Sequence, residues 1–291
     1  MAETTFTGVH CILFALFDAT GQLDRAAMAA QVDYVRRAGA DGLVVLGLAT
    51  EVGKLTFAER SDIITWARKD AADMPLGVTI SGNSVTEQLS LIAVAEAAGA
   101  DWLILQPPLA GTYGATEYVN FFADVGQTAR LPFAIQNAPQ YLGRSLSGDD
   151  IAALKARCPG FTMIKSETGP VELAALVARQ GESLTVMNGR GGMEMTDCLR
   201  AGCQGFIVAP DVLPGVQRCW TAWQAGDMAA SEAAYAAFLP AALFGMQSLE
   251  ALACYGKRVF GLRAGITIHD RAPALRPDDF GLAMAARWAK T

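Results

Sequence analysis

The sequence is poor in what several functional classes require. Of its 291 residues only His10 and His269 are histidine, and they stand far apart, so neither has a nearby partner for a histidine-based metal site. The six cysteines, Cys11, Cys158, Cys198, Cys203, Cys219 and Cys254, form no C-x-x-C pair and no regular framework. That excludes the common zinc-ribbon and disulfide-scaffold patterns and fits reduced thiols. Neither a metal nor a cofactor is expected. Charged residues make up 18% and the net charge is −6, with no Lys/Arg-rich run or basic stripe among aromatics; a nucleic-acid partner is therefore not expected. The opening MAETTFTGVH lacks the basic and apolar regions of a leader, and no apolar run looks as long as a membrane span. These features predict a soluble, cytoplasmic protein without a membrane partner.

What is abundant is hydrophobicity, at 52% of residues. Short apolar runs recur: VHCILFALF (9–17), DGLVVLGLA (41–49), PLGVTISG (75–82), DWLILQPP (101–108), PFAIQNAP (132–139), FTMIKSE (161–167), SLTVMNGR (183–190) and QGFIVAP (204–210). Between them lie stretches with apolar residues at i, i+3, i+4 and i+7, such as LDRAAMAAQVDYVRRAG and FAERSDIITWARKDAAD, the period of a helix. The junctions AGADG (38–42), AGADW (98–102) and AGCQG (201–205) each place glycine where a helix ends and a strand begins. Runs apolar on both faces suit parallel strands covered by helices. The expected fold is α/β, a (β/α)8 TIM barrel over residues 1–225, with a doubly wound open sheet as the alternative. Residues 226–291 are Ala-rich and without a strand candidate, and are expected to form a C-terminal helical extension.

The run FTMIKSETG (161–169) ends on a lysine. A buried ammonium is costly unless paired or neutralised, and the C-terminal strand ends of a barrel carry its chemistry. Lys165 is thus placed at the catalytic rim. Strand alternation puts Glu167 on its side, two residues on, where it could move protons or instead form a salt bridge or a helix cap. Thr50 and Glu51 begin a rim loop whose amides could hold a carboxylate, although Thr50 also suits a cap. Gln136 and Asn137 could orient hydroxyls, with turn bonding the alternative for Asn137. Asn188 and Arg190, among the glycines of NGRGG, offer a polar rim after strand seven.

Several landmarks in order carry a resemblance: ALFDATGQLD (15–24), GLATEVGKLTFAER (47–60), QNAP (136–139), IKSETG (164–169) and MNGRGGMEMTDCLRAGCQGFIV (187–208). Over nearly its full length the chain resembles the dihydrodipicolinate synthase/N-acetylneuraminate lyase superfamily of Schiff-base-forming barrels, and more weakly its 2-keto-3-deoxyarabonate dehydratase branch. The resemblance implies that Lys165 forms an imine with a 2-oxo acid and that the protein is a homotetramer; Glu167, from its expected side and distance, is the candidate acid and base. The family's relay hydroxyls, a Thr in the second loop and two Tyr, fall at Leu48 and Ala49, Leu109 and Ala110, and Gln136. Tyr141 stands where the synthase has an Arg for its second substrate. The expected function is dehydration of a 2-keto-3-deoxy sugar acid. A pyruvate-releasing class I aldolase or a dihydrodipicolinate synthase-like enzyme is the alternative, and a non-catalytic 2-oxo-acid-binding barrel is a third reading.

Overall fold

Each of the eight apolar runs becomes a parallel strand: β1 (Gly8–Ile12), β2 (Gly42–Val45), β3 (Leu76–Ile80), β4 (Trp102–Leu105), β5 (Phe133–Asn137), β6 (Phe161–Ser166), β7 (Thr185–Asn188) and β8 (Gly205–Val208). They pair in chain order, and β8 returns to β1 with Gly8 opposite Gly205 and Cys11 opposite Val208, closing a barrel. The structure is a computed structural model describing residues 6–291; residues 1–5 of the stretch read for a leader lie outside the described residues. Every strand residue is buried, because the inner face fills the barrel and the outer face meets helices. The strands are shorter than the runs. Leu13–Phe17, for example, stays buried but leaves the sheet, since residues at the rim turn away to build loops.

The barrel helices are α1 (Arg25–Arg37), α2 (Phe57–Ala71), α3 (Val85–Ala98), α4 (Ala115–Gly126), a single turn α5 (Pro139–Leu142), α6 (Gly148–Arg157), α7 (Pro170–Gln180), α8 (Met195–Arg200) and α9 (Leu213–Gln224). Local sequence sets their starts. Asp24 and Ser84 cap α1 and α3, while Thr56 with Glu59, and Ser147 with Asp150, form reciprocal capping boxes for α2 and α6. Gly39, Gly99 and Gly202 take φ of +81°, +85° and +95°, the left-handed turn that lets a helix stop and its chain re-enter the sheet.

Four helices follow: α10 (Met228–Gly245), α11 (Leu249–Ala251), α12 (Lys257–Ala264) and α13 (Asp279–Trp288), with one π-helical turn at Leu252–Gly256. One sequence expectation needs correcting: α10, 18 residues with mean hydropathy 1.2, is long and apolar enough to cross a membrane by length and composition. Here it lies along α9, where the Ser231 hydroxyl donates to the Cys219 carbonyl at 3.1 Å. A Cβ on Gly215 of α9 would stand 2.4 Å from Phe238, so that glycine sets how closely the two helices pack. The tail also reaches the barrel mouth. Buried Lys257 pairs with Glu51 and donates to the Ala15 carbonyl at 2.8 Å.

Candidate active site

At the C-terminal ends of the strands lies a small cavity that opens to solvent. β6 delivers Lys165 into it and Glu167 follows; both are buried, with only 4% and 6% of their surfaces exposed. Lys165 Nζ stands 3.3 Å from Glu167 Oε1. The other carboxylate oxygen accepts from Gln136 Nε2 at 2.7 Å, and Gln136 Oε1 accepts from Gln106 Nε2, also at 2.7 Å. Register explains the assembly, because Gln136 of β5 pairs directly with Lys165 of β6. Gly189 leaves the room: a Cβ there would lie 2.4 Å from Glu167 Oε1. The outcome is a buried amine, a carboxylate within reach of it, and a chain of two amides that fixes the carboxylate without titrating.

Arg190 also lines the cavity. Its φ is +52°, uncommon for a residue with a side chain, and its guanidinium forks onto Glu194 at 2.8 and 3.1 Å and reaches Gln140. The Glu194 bonds raise its pKa further, so it presents a fixed positive charge to the cavity.

Four residues expected at the substrate are engaged elsewhere. Thr50 donates to the Leu13 carbonyl at 2.6 Å, and Leu48 and Ala49 line the cavity in its place. Glu51 pairs with Lys257 and Lys54. Asn137 closes the loop after β5 by accepting from Leu146 N at 2.8 Å and donating to its carbonyl at 3.2 Å. Asn188 donates to the carbonyls of Ser166 and Thr168 at 2.9 and 3.1 Å, holding the backbone on either side of Glu167. These side chains shape the rim and do not face its cavity.

Two residues that sequence reasoning did not assign to the site do line it: Tyr141 and Asp211. Burial, then the Glu167 carboxylate, raises the Tyr141 phenol, so it stays protonated and serves as a donor. A tyrosine thus lines the cavity from four residues past Asn137. Asp211 follows β8, and its sequence signal was modest: an acid three residues beyond a strand at the catalytic rim. The tail contributes Met246, Leu249 and Leu252 to the cavity lining.

Comparison with known proteins fits this arrangement. The model of the dihydrodipicolinate synthetase family matches residues 5–245. The chain is 24% identical over 230 residues to the 4-hydroxy-tetrahydrodipicolinate synthase of Methanococcoides burtonii, covering 78% of each. It is 27% identical over 241 residues to the L-2-keto-3-deoxyarabonate dehydratase of Azospirillum brasilense, covering 80% of this chain and 77% of that protein. The crystal structure of dihydrodipicolinate synthase from Aquifex aeolicus superposes with a TM-score of 0.90 at 21% identity, over 98% of this chain and 97% of that one. The chain is thus a lyase and belongs to the dihydrodipicolinate synthetase family.

Proposed function

We propose that this lyase dehydrates a 2-keto-3-deoxy sugar acid through an imine on Lys165. The observation that carries the reading is the buried Lys165–Glu167 pair, 3.3 Å apart in a cavity at the catalytic rim. Glu167 accepts the proton of the lysine ammonium, and the amine adds to the C2 ketone. Glu167 gives that proton to the carbinolamine hydroxyl, which leaves as water, so that a protonated imine forms and Glu167 is again a carboxylate. Glu167 then removes a C3 proton; the C–H electrons become the C2–C3 double bond as the imine electrons move to nitrogen. Return of those electrons expels the C4 hydroxyl as a C3–C4 double bond forms. Hydrolysis releases the unsaturated product and frees Lys165.

Arg190 suits a carboxylate or hydroxyl-bearing end of the substrate, and the Gln106–Gln136 chain keeps Glu167 aimed at C3. Similarity to an L-2-keto-3-deoxyarabonate dehydratase supports this reaction class, and the six free, buried cysteines support a reducing compartment such as the cytoplasm. Incubation with 2-keto-3-deoxy pentonates and hexonates, followed by mass spectrometry of the products, tests it. Loss of one water without release of pyruvate is expected. Pyruvate as product would overturn dehydration in favour of retro-aldol cleavage.

A further inference from the structure

The cavity holds a second carboxyl that the scheme above leaves idle. Asp211 is 2% exposed and lines the same cavity as Lys165 and Glu167. Its surroundings differ sharply from those of Glu167, which meets an ammonium and an amide. Asp211 Oδ1 is buried without a hydrogen-bond partner. Oδ2 sits against two tail glycines, 3.1 Å from where a Cβ on Gly245 or on Gly256 would stand. Those glycines leave space for the carboxyl where any side chain would press on it.

A purely structural role does not account for the buried Oδ1. Arg263 of α12 is the nearby cation, but its guanidinium is spent on main-chain carbonyls, those of Asp211 itself, Trp288 and Ala289. The main-chain N–H groups of Asp211 and Val212 bear on the carboxylate, yet Oδ1 has no partner, and a buried oxygen left without one costs stability unless it serves something that arrives later. The groups whose charge bears on it are Arg263, Cys11 of β1 and Tyr34 of α1; the glycines of α10 and of the π-helical turn bring no charge. Burial raises its pKa to about 6, against the pull of Arg263. A carboxyl poised there can both hold and release a proton near neutrality.

We propose that Asp211 is the general acid of this cavity, donating its proton to the C4 oxygen as that oxygen departs. The proposal rests on the dehydration reading. The O–H bond of Asp211 breaks toward the leaving oxygen, the C4–O bond breaks with its electrons going to that oxygen, and water leaves. The Asp211 carboxylate then regains a proton from solvent once product is gone. Glu167 and Asp211 divide the work: one removes the C3 proton, the other supplies the C4 proton.

The test compares a 4-hydroxy substrate with its 4-fluoro analogue, whose leaving group needs no proton. For Asp211→Asn, kcat on the hydroxy substrate should fall by about 100-fold or more, while fluoride release stays close to wild type and Lys165 still traps substrate under borohydride. Equal loss on both substrates would overturn the acid role and make Asp211 structural, as would unchanged turnover on the hydroxy substrate. Should the variant not fold, wild type alone decides the matter. Its kcat on the hydroxy substrate should decline on the alkaline side, about tenfold per pH unit, while the fluoro profile stays flat; parallel profiles would refute the proposal. If wild type dehydrates nothing, the dehydration reading itself fails, an outcome distinct from either of these.

Discussion

Replacing Glu51 by Gln separates two roles for a rim carboxylate. In the structure Glu51 neutralises Lys257, a side chain 1% exposed, which also donates to the Ala15 carbonyl and lies 5.2 Å from the centre of the Phe17 ring. Burial holds the Lys257 pKa below its ordinary 10.5, while Glu51 pulls it back up. Removing that charge leaves a buried ammonium uncompensated, which typically costs 3–5 kcal/mol. About 3 kcal/mol is expected here, because glutamine keeps an acceptor oxygen and Ala15 is untouched. At roughly 2 °C per kcal/mol for a chain of this size, Tm should drop by about 6 °C. The sign with pH follows from the lowered lysine pKa. Between the folded and unfolded values the unfolded chain binds more protons, so Glu51→Gln should regain stability as pH rises toward 10.5. The double change Glu51→Leu with Lys257→Met should recover most of the loss, since apolar packing can replace a buried pair. Thermal scans across pH, paired with borohydride trapping of substrate on Lys165, are the assay. Unchanged melting together with lost trapping would refute the argument and return Glu51 to the substrate.

Gly189→Ala places a methyl 2.4 Å from Glu167 Oε1, on a backbone at φ −123° and ψ −116° that lies outside the regions open to residues with a Cβ. Displacing the carboxylate should lower kcat by about 100-fold while imine trapping persists, measurable by turnover and intact mass in parallel. Glu59 is held from its ordinary 4.5 down to about 2, chiefly by Arg271. Its contribution is full above 4.5 and fades as pH falls toward 2. Arg271→Ala should therefore cost on the order of 1 kcal/mol at neutral pH and much less near pH 2, as read by urea unfolding at the two extremes.

The barrel was legible because strands covered on both faces read as unbroken apolar runs, and because a glycine junction marks the re-entry into β2, β4 and β8. Lys165 and Glu167 were legible for a local reason: strand alternation alone puts them on one side at a strand end. The partners of Thr50, Glu51, Asn137 and Asn188 were not, since those bonds depend on segments brought together only by folding. Glu51 meets a lysine 206 residues away. A polar residue at a rim has the same local signature whether it holds substrate or holds the loop. Tyr141 and Asp211 escaped for the converse reason. Their place in the cavity is set by the turn after β5 and by the tail, whose Gly245 and Gly256 make room for the aspartate.

The most direct test of the central claim is the intact mass of the protein after borohydride reduction with a 2-keto-3-deoxy sugar acid, in wild type and in Lys165→Ala. The account predicts a substrate-sized mass gain in wild type, located on Lys165 by peptide mapping and absent from the folded variant. No adduct in wild type, or an adduct that survives loss of Lys165, would contradict it.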